Sequence, residues 1–328
     1  YWSVYVPASL SEPEAVQVTL EQIDVTRRLI ARYPDDLQLA LTADDVEAAI
    51  KRGRIASLLG MEGGHSIGSS LAVLRQMYAL GARYMTLTHS KNTPWADSAT
   101  DTPAHDGLTD FGRDLVREMN RIGMQVDLSH VSEATMHDVL DVAKAPVIFS
   151  HSGARAMNGH ARNVPDSVLK RLPQNGGVVM VVGLPGFLSE DLRQWSANRD
   201  AERARLAALW QGQPDAAAVA LKLWEETNPA PLATISDMAD HIDHVRKLAG
   251  IDHIGIGGDY DGMPNGPVGM EDVAGYPALF VELARRGYTR QDLEKISLRN
   301  ALRALRAAEA YAASQRGAAP IENRVKGS

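Results

Sequence analysis

The sequence predicts an α/β fold, a (β/α)8 barrel of the TIM type, and three observations predict it. Short runs rich in Val, Ile and Leu recur along the 328 residues, each followed by a stretch of helical periodicity. The runs are continuously apolar rather than alternating, as strands of a parallel sheet covered on both faces are. Five of them are followed at once by ionisable residues, which gathers those residues at the C-terminal edge of the sheet, where barrels of this type carry their chemistry.

The strand candidates, in chain order, are 2–6, 55–60, 83–88, 124–129, 146–150, 177–183 and 253–257. The helix after the first opens at Ser11, where Ser11 and Glu14 form a capping box, and it carries Val16, Leu20, Ile23 and Ile30 on one stripe. Further helices are expected near 69–80, 111–122, 133–142, 167–172, 235–248, 271–285 and 290–308. Alternation of this kind means a parallel sheet, open or closed. A closed barrel needs eight strands. The missing one is expected before Tyr1, because the alternation is otherwise unbroken. Segment 184–233 is the exception. It is helical and charged, carries Trp195, Trp210 and Trp224, and reads as an insertion. The barrel is expected over 1–308, with 309–328 as a poorly ordered tail.

Apolar residues make up 45% of the chain and charged residues 23%, enough apolar material for a large core. A net charge of −7 without a Lys/Arg cluster excludes a nucleic-acid partner. The chain has no cysteine, so disulfides and thiolate ligands are excluded and any metal site must use His, Asp and Glu. It has no run of about 18 apolar residues, so no transmembrane helix is expected.

The residues that carry chemistry lie just past the strands. Run 55–60 leads into Met61-Glu62-Gly63-Gly64-His65, and the next three deliver His89, His130 and His151. The last leads into Gly258-Asp259-Tyr260-Asp261-Gly262. A lone His after a strand is ordinarily a hydrogen-bonded structural residue. Three arriving in phase with two acids read instead as one site, and imidazoles with carboxylates suit a zinc ion that keeps a position open for water. Arg162, on the loop after His151, is either a surface residue or a bidentate anchor for a substrate carboxylate. His65 is expected to buttress its loop. His241 and His244 fall on an outer helix and are expected on its solvent face. His105, His137, His160 and His253 read as structural or solvated. The motif GGDYDG lacks the spacing of a dinucleotide fingerprint.

With these residues in place the chain resembles a known family. GMEGGHSIGSSLAVLRQMYALGARYMTLTHSKNTPWAD, DLSHVSEATM, APVIFSHSGARAM, ARNVPD and IGIGGDYDG are similar to stretches of the membrane (renal-type) dipeptidases, peptidase family M19, among the amidohydrolase-like barrels. The likeness runs from Trp2 to about Leu305. It implies a zinc-dependent metallo-dipeptidase with two zinc ions per chain, acting on dipeptides, L,D-dipeptides included. On that resemblance Glu62 is the carboxylate bridging the two ions, and His130 and His151 are ligands of one of them. His89 contacts the substrate carbonyl and the tetrahedral intermediate, Arg162 anchors the substrate carboxylate, and Asp259 is the acid/base for the leaving amine.

The family also carries a His-x-Asp ligand pair at the end of its first strand, whereas the first 61 residues here contain no histidine. That pair is expected upstream of Tyr1, with the missing strand. Two alternatives follow: an amidohydrolase acting on N-acyl amino acids, and a degenerate peptide-binding barrel lacking the second metal. The insertion is expected to serve as a lid or an oligomer contact, with a homodimer as the candidate assembly. Export, to the periplasm for example, is expected because family members often carry leaders.

Overall fold

The apolar runs fold as short parallel strands. The computed structural model describes residues 1–323. Its strands are β1 (Trp2–Tyr5), β2 (Leu37–Leu39), β3 (Ile55–Ser57), β4 (Leu59–Glu62), β5 (Ala82–Thr86), β6 (Gln125–Asp127), β7 (Ile148–Ser152), β8 (Val178–Val182) and β9 (Ile254–Gly257). Seven of them form one sheet in the order β1-β4-β5-β6-β7-β8-β9, with every ladder parallel.

The sheet curls so that its two edges approach. Tyr5 of β1 and Asp259, just past β9, line one cavity, and Tyr1 and Ile256 line another. No ladder joins β1 to β9 among the described residues. The described residues therefore form a curled parallel half-barrel of seven strands, the number read from the sequence, and no closed eight-stranded barrel is formed among them.

Run 55–60 is two strands rather than one. Its first half, β3, leaves the main sheet to pair with β2, in the register Leu37↔Ile55, and only the second half, β4, joins β1 and β5. Strand β2 was not expected, since three residues are too few for a period to be read.

Helix Glu12–Arg32 starts as the capping box predicts, with the Ser11 N–H donating to Glu14 Oε2 at 3.1 Å. Its buried face is rotated from the expected stripe. Ala15, Thr19, Ile23, Thr26 and Ile30 face inward, while Leu20 is exposed. Ala15 and Thr19 are the smaller side chains, and small residues let a helix axis approach its sheet closely.

The core between sheet and helices includes Met61, Met85, Val126, Phe149 and Val181, all buried. Each such side chain contributes about 1.5–3 kcal/mol. Phe149→Ala would cost about 3–5 kcal/mol through lost burial and the cavity left behind.

In the insertion, helices Glu190–Leu209 and Pro214–Thr227 pack on each other, with Trp195 and Trp224 at 6.0 Å between ring centroids and an Arg199–Glu225 ion pair. No residue of Pro214–Thr227 is buried. Helix Asn300–Ser314 runs through the expected 308/309 boundary. Beyond it, Asn323 Oδ1 accepts from the Leu71 N–H at 2.9 Å and Arg75 Nη1 donates to the Ile321 carbonyl at 2.9 Å. The described part of the tail is thus docked rather than loose, because its polar groups satisfy the start of helix Leu71–Ala79. Residues 324–328 of that tail lie outside the described residues. No described helix is long and apolar enough to cross a membrane.

Candidate active site

Glu62 ends β4, His89 follows β5, His130 follows β6, His151 sits within β7 and Asp259 follows β9. All five line one cavity of about 490 Å³ at the C-terminal edge of the sheet, and Arg162 joins them from the loop after β7. Two of the four non-glycine residues with positive φ among the described residues are His130 (+69°) and Asp259 (+60°). Such backbone costs about 1–3 kcal/mol and persists where surrounding contacts fix it. The His130 carbonyl is held by the Ala99 N–H at 2.7 Å and by Thr88 Oγ1 at 3.2 Å. Close packing governs the other side of the mouth. A Cβ on Gly257 would lie 1.9 Å from the Ser150 carbonyl, so only glycine lets β9 pass there.

Three of the five side chains converge tightly. Glu62 Oε1 lies 3.2 Å from His130 Nε2 and 3.3 Å from His151 Nε2, and the two imidazole nitrogens are 3.0 Å apart. This is the one cluster among the described residues whose ligand atoms are close enough to share an ion. His89 stands beside it, its Nε2 3.8 Å from Glu62 Oε1 and its ring 4.3 Å from that of His130.

The hydrogen bonds behind His151 fix its tautomer. Asp127 is fully buried and accepts from Thr86 Oγ1 (2.6 Å), the Ser150 N–H (2.8 Å) and Ser150 Oγ (2.6 Å). The Ser150 hydroxyl proton is committed to that carboxylate. Ser150 Oγ can therefore only accept from His151 Nδ1, 2.8 Å away. His151 therefore keeps a proton on Nδ1, and its Nε2 faces Glu62 and His130. Burial holds His130 well below the usual imidazole range, with Arg162 adding to the effect, against the pull of Glu62. Burial alone would raise Glu62, but its bonds to the two imidazoles outweigh that and hold its carboxyl well below the usual range.

Arg162 is 3% exposed, and burial pushes it down to about 10, so it remains charged at neutral pH. Its guanidinium lies over the Phe187 ring at 5.4 Å from the centroid. Its Nη1 is buried with no hydrogen-bond partner. The Asp259 carboxyl is raised, chiefly by burial and also by Glu62 and Asp261, against the pull of His151 and Arg162.

The structure thus brings together Glu62, His89, His130, His151, Arg162 and Asp259. Several cavity residues escaped the sequence reading. Ser3 donates to Glu62 Oε2 at 2.8 Å, Tyr5 packs on His89 at 5.1 Å, and Phe187 and Asp261 also line the wall. Ser3 and Tyr5 alternate on a strand ending at the mouth, a period-2 signal that was readable. Asp127, a carboxylate inside an apolar run, was the other visible sign.

His65 donates from Nε2 to the Val6 carbonyl at 3.2 Å, as a buttress would. The expectation for His241 is overturned. It is 1% exposed, because helix Ile235–Ala249 turns it inward onto loop backbone, whereas His244 pairs with Asp166 at 2.8 Å near the surface.

A family model described as membrane dipeptidase (peptidase family M19) matches residues 1–318. Dipeptidase tcpJ of Claviceps purpurea is 42% identical over 330 residues, covering 98% of this chain and 69% of that protein. Dipeptidase 3 of Rattus norvegicus is 42% identical over 327 residues, covering 98% of this chain but 58% of that protein. The chain therefore spans little more than half the length of the rat relative. Among solved structures, the probable dipeptidase PvdM of Pseudomonas aeruginosa superposes with a TM-score of 0.80 at 26% identity, over 92% of this chain and 81% of that one. A Rhodobacter sphaeroides metallopeptidase liganded with a phosphinate mimic of L-Ala-D-Ala shares the fold, with a TM-score of 0.77 at 24% identity over 94% of this chain and 86% of that one.

Proposed function

The chain belongs to the membrane dipeptidase family, peptidase family M19, and from that premise we propose that it hydrolyses dipeptides, L,D-dipeptides included, with zinc held by Glu62, His130 and His151. The donor set fits a cation. Two imidazole nitrogens face one another across 3.0 Å with a carboxylate oxygen beside both, three ligand atoms close enough to share one cation. Imidazole and carboxylate in a cysteine-free chain suit zinc. Zinc bound there would acidify a water and polarise the peptide carbonyl.

The protein's own groups do the rest. Arg162 takes the C-terminal carboxylate of the substrate, which restricts the site to short peptides. His89 donates a hydrogen bond to the carbonyl oxygen as it gains charge. Asp259, whose carboxylate burial makes a stronger base, accepts a proton from the attacking water and passes it to the departing nitrogen as the C–N bond breaks.

The observation that carries this reading is the unpartnered Arg162 Nη1, a buried cation awaiting an anion in the same cavity as the metal cluster. The test measures bound zinc and turnover on a panel of dipeptides, their C-terminal amides and N-acyl amino acids. Zinc-dependent cleavage of the free-carboxylate dipeptides is expected. A zinc-loaded protein that cleaves the amides equally well, or cleaves only the N-acyl amino acids, would refute the proposal.

A further inference from the structure

Arg162 is placed by a wall that is itself tied together from outside the cavity. The wall is the short helix Pro185–Leu188, whose Phe187 backs the guanidinium at 5.4 Å and stacks on His160 at 4.3 Å. Two and three residues after His151 the chain passes through Gly153 and Ala154, and two side chains join that strip to the wall. Asn163 accepts from the Gly153 N–H at 2.8 Å and donates to the Phe187 carbonyl at 2.9 Å. His241, from helix Ile235–Ala249, accepts at Nδ1 from the Ala154 N–H at 2.8 Å and donates from Nε2 to the Leu188 carbonyl at 3.0 Å.

Both ring nitrogens of His241 are thereby used, in the single neutral tautomer that can accept from one backbone and donate to the other. The fit is close: a Cβ on Gly153 would come within 2.6 Å of both Asn163 Oδ1 and His241 Nδ1.

We propose that His241 is a positioning residue for the substrate-carboxylate anchor: by clamping Ala154 to Leu188 it holds Phe187 against Arg162, and so sets substrate affinity without touching substrate or metal. The inference rests on the reading of Arg162 as that anchor. Few other side chains serve this geometry. Ala offers neither bond. Asn keeps an acceptor close to the Ala154 N–H, and Gln keeps a donor that reaches towards the Leu188 carbonyl. The second bond is the one that fixes the wall.

The test compares wild type with H241A, H241Q and H241N in the zinc-loaded protein. For H241A, KM for a free-carboxylate dipeptide should rise about tenfold, the effect of one lost buried hydrogen bond, with kcat and zinc content held. KM for the corresponding amide should not move, and H241Q should recover more of the loss than H241N. A general loss of structure would instead lower kcat for both substrates and release zinc, and that result overturns the proposal. So does an unchanged KM.

Hydrogen exchange supplies a readout independent of turnover. Amides of Ala154 and of 186–189 should exchange faster in H241A than in wild type, while those of β4 to β6 keep their protection. If wild type cleaves no dipeptide, the reading of the cavity fails, and the exchange result still decides whether His241 clamps the wall. Unchanged exchange at 186–189 overturns the clamp whatever the kinetics show.

Discussion

Replacing Arg162 by Met separates what this residue does for substrate from what it does for the fold. Arg162 is 3% exposed and its Nη1 has no partner, so its charge is desolvated before any substrate arrives. A carboxylate that pairs with a charge so placed gains more than a surface pair would. Removing one member of such a pair costs about 2–4 kcal/mol, or roughly 30- to 1000-fold in kcat/KM. The loss should fall on KM for dipeptides with a free carboxylate and leave their C-terminal amides nearly untouched. Stability should move the other way. A buried donor without a partner costs about 1–3 kcal/mol, and the apolar Met side chain can lie along the Phe187 ring that the guanidinium now covers. Arg162→Met should therefore unfold at the same urea concentration as wild type or a higher one. Steady-state kinetics on paired dipeptide and amide substrates, with a urea titration, read both effects. Equal losses on the two substrates, or a variant clearly less stable than wild type, would refute the assignment of Arg162 as an unsatisfied anion anchor.

Asp259→Asn should lower kcat by about 10²–10⁴ with zinc content unchanged, and loss of zinc would make Asp259 a ligand instead. Asp127→Asn breaks the chain that sets the His151 tautomer, so zinc affinity should fall about 10- to 100-fold; an unchanged zinc titration would show that Ser150 alone suffices. Stability should fall as pH drops below about 6.5. Burial lowers His65, His160, His241 and His253 in the folded chain, while in the unfolded chain they titrate near the ordinary imidazole value. Below that value the unfolded state binds more protons, and protonation of zinc ligands acts in the same direction. Urea midpoints at pH 7.5 and 5.5 check the sign, and an equal or higher midpoint at 5.5 counts against it.

What the sequence made legible follows from which contacts are local. Strand ends announce themselves because an ionisable residue abruptly follows an apolar run, so Glu62, His89, His130, His151 and Asp259 could be gathered before any coordinate was known. Arg162 was left open, since a loop Arg looks the same in sequence whether it is solvated or buried without a partner. The supporting residues were illegible for another reason. Ser150 matters because its hydroxyl is committed to Asp127, on another strand, and His241 matters because of two backbone groups 87 and 53 residues away. Helical periodicity placed His241 on a helix correctly but could not say which side of that helix another loop would cover. The same blindness rotated the buried stripe of helix Glu12–Arg32 from Leu20 to Thr19. Sheet closure is the longest-range feature of all, since it depends on what meets the two edge strands, β1 and β9, and local apolar runs carry no information about it.

The same site shows why its residues are better explained by chemistry than by stability. His130 and Asp259 hold positive φ, Arg162 is buried with a free donor, and Asp127 is a carboxylate fully withdrawn from water. Each is unfavourable for the fold taken alone. All four lie within or directly behind one cavity. Their convergence on the cavity that holds the candidate ligands ties each of them to the chemistry there. The argument has a mechanical corollary in the two clamps on Gly153 and Ala154. An unpartnered cation would relax towards water unless its wall were fixed, and Asn163 and His241 supply that fixation from loop and outer helix, where their bonds do not compete with the ligands for Glu62.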